Sequence, residues 1–329
     1  MCLACAVIYS GILGDVFTPL LSTVGLPDSL NGRSSNIIAI TIAFLFPLSM
    51  IKDLSALAFT SILGFAAIAY TLMFIVTRAL DGTYNAVGDA VGKFIEDGVI
   101  TKPSFARSTM WNFDFSSLVL ASNLGLAYIA HYNGPTFYRS LKDTSSVRFS
   151  QMVRISFAIL TCLYIAIMCA GYATFGDVTE GNILLNYHPS DVLSTMARLA
   201  TGFSILFGFP LVITGARESI IGAASSLGFP SLGDTKNHAV LVIAILSLVT
   251  AISTLVKDVS VVVGLTGAIL GSFIVYVCPT LIHVKTVALC KGSESAEYKR
   301  ARLNYIWVPF GVTIAGLGAF MTLKEASLI

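Results

Sequence analysis

Apolar residues run along this chain in long blocks, and about nine of them approach the roughly 20 residues a helix needs to cross a bilayer core. The blocks are Met1 to Thr23, Asn36 to Ile51, Leu54 to Val76, Phe115 to Tyr138, Ser150 to Phe175, Val192 to Val212, Ala239 to Leu255, Val261 to Val284 and Tyr305 to Leu323. They predict an all-α, polytopic membrane protein with about nine transmembrane helices in a single domain over residues 1–329. The first block lacks the basic start of a secretory signal, so it reads as a membrane helix. Residues 77–114 read as a long extracellular or luminal loop.

One block is irregular. Between Ala121 and Asp143 the apolar run admits Asn123, Gly125, His131, Asn133 and the Gly134-Pro135 pair. A helix in lipid must satisfy its backbone groups internally, so such residues gather only where the helix faces protein or a water-filled path. The pattern predicts a broken helix at a solute site, with Gly134 and Pro135 bending the chain near the exit.

Composition supports the class. The 329 residues are 55% hydrophobic and 12% charged, with mean hydropathy +0.82. A net charge of +2 leaves no basic excess for nucleic acid. Twelve basic residues fall on one set of loops, among them Arg139, Lys142, Lys291, Arg300 and Arg302. Eight fall on the other side, including Arg33 and Arg78 in loops and Arg198 within an apolar block. The positive-inside tendency makes the first set cytoplasmic, with Met1 on that side and Ile329 opposite. Trp111 and Trp307 stand where aromatic rings anchor at headgroup level. The six cysteines lie in or beside apolar runs and read as small packing residues. There is no H-E-x-x-H, G-x-S-x-G or G-x-x-x-x-G-K-[ST], so the expectation is neither an enzyme nor an ATP-driven machine, and no cofactor is called for.

Five stretches carry a resemblance: PLSMIKDLSALAFTSILG (Pro47 to Gly64), AYIAHYNGPTFYRSLKD (Ala127 to Asp143), GYATFGDVTEGNILLNY (Gly171 to Tyr187), FPLVITGARES (Phe209 to Ser219) and KDVSVVVGLTGAILGSFIVYVCPTLIHVK (Lys257 to Lys285). In these, in order and spacing, the chain resembles the amino acid/auxin permease family, which contains the vacuolar and the sodium-coupled neutral amino acid transporters. The resemblance implies the bacterial leucine transporter plan, an inverted pair of five-helix repeats plus one helix. It begins at the family's third helix and runs to the eleventh. The implied domain is therefore N-terminally incomplete, without the first helix that supplies half the site.

The implied function is secondary active transport of amino acids, neutral ones by preference, by alternating access and coupled to protons or sodium. A transporter-like amino acid sensor, or a non-functional fragment of a transporter, is the alternative; a soluble cytosolic tail would mark the sensor. The implied location is a vacuolar, endomembrane or plasma membrane. The implied partners are an amino acid and the bilayer, with protein partners left open.

Candidate residues follow from the same likeness. The irregular helix resembles the family's sixth, whose unwound middle contacts substrate, and Asn123, Gly125 and Tyr128 lie near its middle. Gly125 reads equally as a close-packing residue. Tyr9 belongs to the helix resembling the third, which lines the substrate path. For ion coupling the candidates are Thr201 and Ser204, in the helix resembling the eighth, with Asp15 and His131. Where sodium-coupled members carry threonine, this chain has Leu206 and Gly208, which places sodium coupling in question. His131 reads as a proton relay or as a hydrogen-bonded structural residue, and Arg217 and Glu218 as solvated charges. Gly264, Gly267 and Gly271 read as a packing stripe.

Overall fold

The computed structural model describes residues 1–22, 32–51, 58–84, 86–87, 90–91, 94, 117–131, 134–228, 237–256 and 258–326. Trp111, Asn133 and most of 77–114 lie outside them. In order, the helices are α1 (Cys2–Ser22), α2 (Arg33–Ser49), α3 (Ala58–Leu80), α4 (Ser117–Ala127), α5 (Gly134–Ser140) and α6 (Ser146–Phe175). They continue with α7 (Val192–Ser226), α8 (His238–Leu255), α9 (Val259–Lys291), α10 (Ala296–Ala301) and α11 (Trp307–Glu325). Among the described residues, seven helical stretches are long and apolar enough to cross a membrane, and α2 and α4 are shorter apolar helices. Each of the nine blocks therefore has its helix, in a polytopic all-α membrane protein. A two-residue antiparallel pairing of Ala86–Val87 with Ala90–Val91 is its small β element.

The chain divides into two compact units. The first comprises 1–108 and 162–259, the second 109–161 and 260–329. In the first, α7 packs along α1 and α3, and α1 also meets α2 and α8. Asp191 caps α7 by accepting from the Leu193 N–H at 3.1 Å, and the helix then runs 35 residues, beyond Val212 to Ser226. Its Pro210 does not end it, because surrounding helices let a membrane helix absorb the lost backbone bond. At one end Phe74, Tyr84, Phe175 and Tyr187 form an aromatic core, with Tyr84 in edge-to-face contact with Phe175 and Tyr187 at 5.7 and 5.1 Å.

In the second unit, α4, α9 and α11 pack together through small residues. The Ser122 carbonyl lies so close to Gly267 that a Cβ there would overlap it, and a Cβ at Gly318 would strike the Ser122 hydroxyl. Lipid tails are as apolar as side chains, so helices in a membrane gain from close van der Waals approach more than from water exclusion. The glycine stripe has the packing role its spacing predicts. The same stretch of α9 widens into two π-helical turns, Gly267–Gly271 and Phe273–Val277.

Candidate functional site

The second unit holds the broken helix. α4 ends at Ala127, with the Tyr128 N–H donating to Leu124 O at 3.0 Å and the Ile129 N–H tightening onto Leu126 O at 3.1 Å. Helix resumes at Gly134. Proline has no N–H to donate one turn back, so Pro135 is tolerated in a first turn, and its position sets where α5 can begin. Among the described residues, the interruption begins at Tyr128 and includes Ile129, Ala130 and the 3₁₀ residue His131, downstream of the expected place. Asn123 and Gly125 remain in regular helix, which corrects the expectation that they form the break. Low helix propensity at two positions is outweighed in an apolar setting by keeping backbone bonds satisfied.

Tyr128 opens the interruption and is held on two sides. Its hydroxyl donates to Thr161 Oγ1 at 2.9 Å, while Thr161 donates on to Phe157 O at 2.8 Å. Its ring stacks on Phe157 at 5.8 Å and 13°. Asn123 is half-buried, and its Oδ1 is buried without a hydrogen-bond partner. A Cβ at Gly264 would lie 3.4 Å from that oxygen. Gly125 faces the Gly267 carbonyl, where a Cβ would sit at 3.8 Å. Together these place a free acceptor, an aromatic hydroxyl and the π-helical turn Gly267–Gly271 around the end of α4. Such π-turns recur at functional sites because they displace backbone groups from the regular ladder. His131 is exposed within the interruption.

The other candidates lie in the first unit. Tyr9 is half-buried on α1 beside Ser10, whose hydroxyl is buried without a partner. Asp15 is buried on the same helix and accepts from Arg33 Nε at 2.6 Å. Arg33 also donates from Nη1 to the Ser253 and Val256 carbonyls at 3.0 Å each, so a cation sits at the C-terminal end of α8. Arg33 is thus a half-buried tie and not a plain loop charge. Arg217 likewise departs from the solvated-charge expectation: its Nη1 lies 2.7 Å from His238 Nδ1. Thr201 shares a hydroxyl contact with Thr71 at 3.3 Å. Ser204 lines a largely apolar cavity of about 390 Å³ with Leu63, Ala67, Tyr70, Phe203 and Phe207. Leu206 is buried and brings no oxygen.

A charged network closes one end of this unit. Asp191 is fully buried and binds Arg78 through both oxygens, at 2.9 Å to Nε and 2.7 Å to Nη2, and accepts from the Tyr84 hydroxyl at 3.0 Å. Burial pushes the Tyr84 phenol well above its ordinary range, which keeps it a donor. Beside it, burial works to raise the Asp81 carboxyl, but hydrogen bonds from the Thr83 hydroxyl and N–H and from Arg78 prevail and hold it below its usual value. Arg198 is 1% exposed and donates from Nη2 to the Leu184 and Tyr187 carbonyls. Sequence reasoning missed Thr161, Phe157 and this network. Arg198 inside an apolar block was the signal available, since an intramembrane cation requires partners.

An all-helical, multi-pass membrane protein with an interrupted helix against a π-helical turn is the class these features define. Residues 1–324 match the family described as transmembrane amino acid transporter protein, and the chain belongs to that family, one of transporters and not of enzymes. A Danio rerio protein provisionally named sodium-coupled neutral amino acid transporter 11 is 29% identical over 291 residues, covering 87% of this chain and 60% of its own. Amino acid transporter AVT6E of Arabidopsis thaliana is 24% identical over 332 residues, covering 95% and 63%. Vacuolar amino acid transporter 6 of Saccharomyces cerevisiae is 30% identical over 222 residues, covering 67% and 46%. The chain thus spans less than two thirds of the length of these relatives.

Proposed function

We propose that this chain is the transmembrane part of a secondary amino acid transporter that takes neutral amino acids and couples their movement to a proton or sodium gradient. Family membership and the names of the relatives support amino acid transport. The observation that carries the site is the interruption that begins at Tyr128 and includes His131, with Asn123 Oδ1 unpartnered about one turn before it. A helix ending inside a membrane leaves carbonyls without intrahelical donors, and an ammonium group is a fitting partner for them. Asn123, Gly125, Tyr128 and Tyr9 are the proposed substrate contacts.

The coupling ion is argued from Thr201, Ser204, Asp15 and His131. Thr201 and Ser204 bring two hydroxyls, and Leu206 removes a third oxygen from the neighbourhood, which favours a proton over a hard cation. Replacing sodium by choline tests this: uptake should persist, and a collapse would assign sodium instead. For the site, Asn123→Leu should reduce saturable uptake into vesicles at least ~10-fold with the protein still inserted, as expected when a buried polar contact to substrate is lost. Undiminished uptake would remove Asn123 from the site.

A further inference from the structure

The second unit has a corner that the transport reading does not use. α9 ends at Lys291, Gly292 turns the chain at φ +83°, and α10 opens with Ser295 Oγ accepting from the Tyr298 N–H at 3.1 Å. A 3₁₀ turn, Arg302–Ile306, then feeds α11 at Trp307. Two cavities open here and share His283 and Asn304. One, of about 330 Å³, is walled by Tyr276, Pro279, Thr280 and Trp307. The other, of about 370 Å³, is walled by Val287, Lys291, Glu297 and Arg300.

The two halves differ in chemistry. Around the first, Trp307 stacks on Tyr276 at 6.2 Å and 14°, and Phe310 meets both rings edge-on at 5.5 and 5.3 Å. Ile282 and Ile306, close by in sequence, are 65% and 69% exposed, as lipid-facing residues are. Around the second stand two cations and one carboxylate, with Lys285, Lys299 and Arg302 near in sequence. Among the described residues, the side chains of His283, Lys291, Arg300 and Asn304 make no hydrogen bond or ion pair. Donors left open beside an aromatic wall at the basic end of a membrane unit match one ligand chemistry, a phosphate monoanion attached to acyl chains. Tyrosine and tryptophan favour headgroup level, and basic pockets between helices on the basic side favour anionic headgroups.

We infer that this corner binds an anionic phospholipid, with Lys291 and Arg300 on its phosphate, His283 and Asn304 at the bridge, and Tyr276 and Trp307 against the glycerol–acyl boundary. The chain has two tryptophans, so Trp111→Phe leaves Trp307 as the single reporter. The full chain is reconstituted in phosphatidylcholine vesicles carrying a minor fraction of bromine-labelled lipid, either phosphatidylglycerol or phosphatidylcholine. Bromine on an acyl chain quenches a tryptophan it touches. Brominated phosphatidylglycerol should reach Trp307 roughly tenfold more effectively than brominated phosphatidylcholine, the enrichment two basic residues can give at a membrane surface. Lys291→Gln with Arg300→Gln should erase the preference. Lys299→Gln, outside both cavities, should keep it, and added inorganic phosphate should leave it unchanged. Equal quenching by the two lipids would overturn the assignment. So would an equal loss in Lys299→Gln, which would mean diffuse surface charge, or a preference abolished by inorganic phosphate, which would mean a free-anion site.

Discussion

The first unit is held by charge and aromatic burial, the second by backbone contact between small residues. In one, Arg33 ties the Asp15 carboxylate on α1 to the last carbonyls of α8, and Arg78 ties the end of α3 to the Asp191 carboxylate at the start of α7. In the other, the tight joints are Gly267 on the Ser122 carbonyl and Gly318 on the Ser122 hydroxyl. The difference teaches where a membrane protein can place an interruption. Charged ties fix a unit at a few costly points, whereas glycine contacts hold helices along their length, so a helix seated on them can be interrupted beyond the contact. Buried polar atoms without a partner occur in both units, Ser10 Oγ in the first and Asn123 Oδ1 in the second.

The largest test of that contrast is Arg78→Met. It leaves Asp191, whose side chain is 0% exposed, without its bidentate partner, and breaking a buried pair this way costs about 3–5 kcal/mol. Thermal unfolding in detergent should show the loss. A change under about 1 kcal/mol would mean that the Tyr84 hydroxyl and the Leu193 N–H suffice for this carboxylate.

In the second unit the corresponding test is Gly267→Ala. The added methyl meets backbone, which cannot rotate away, so about 1–3 kcal/mol should be lost. Gly316→Ala on α11 is the control, since a Cβ there meets nothing within 4 Å, and helix propensity alone should make it neutral or stabilising by up to about 1 kcal/mol. If both substitutions behave alike, close approach is not what holds this unit.

These particular residues show what could be read in advance. The nine apolar blocks mapped onto helices because hydropathy and length are summed over many residues, and tertiary contacts rarely reverse such sums. The glycine stripe at Gly264, Gly267 and Gly271 was legible for the same reason: spacing on a helix needs no knowledge of the partner. The position of the break was not. Asn123 and Gly125, with Tyr128, lie near the middle of the helix that resembles the family's sixth, yet regular helix carries past the first two to Ala127, and Tyr128 sets the near edge of the break through contacts with Thr161 and Phe157. Those partners stand some thirty residues downstream on another helix. The Asp15–Arg33 pair, joining α1 and α2, lay beyond sequence reading in the same way.

The smallest effect bears on the near edge of the break and separates a structural role for Tyr128 from a substrate role. Tyr128→Phe removes the hydroxyl, and Thr161→Val removes its partner while keeping the shape. The bond should contribute about 1 kcal/mol, so each change should cost stability on that order, and the pair should couple by a similar amount in a double-mutant cycle. Uptake adds a second reading. If Thr161 acts only by positioning Tyr128, then Thr161→Val should raise the substrate concentration for half-maximal uptake a few-fold while leaving the maximal rate near its starting value, and Thr161→Ser, which restores an acceptor hydroxyl, should recover most of that loss. If instead Tyr128→Phe and Thr161→Val couple in stability but neither moves uptake, then the hydroxyl anchors the end of α4 alone, and substrate recognition shifts to Asn123 and the backbone of the interruption.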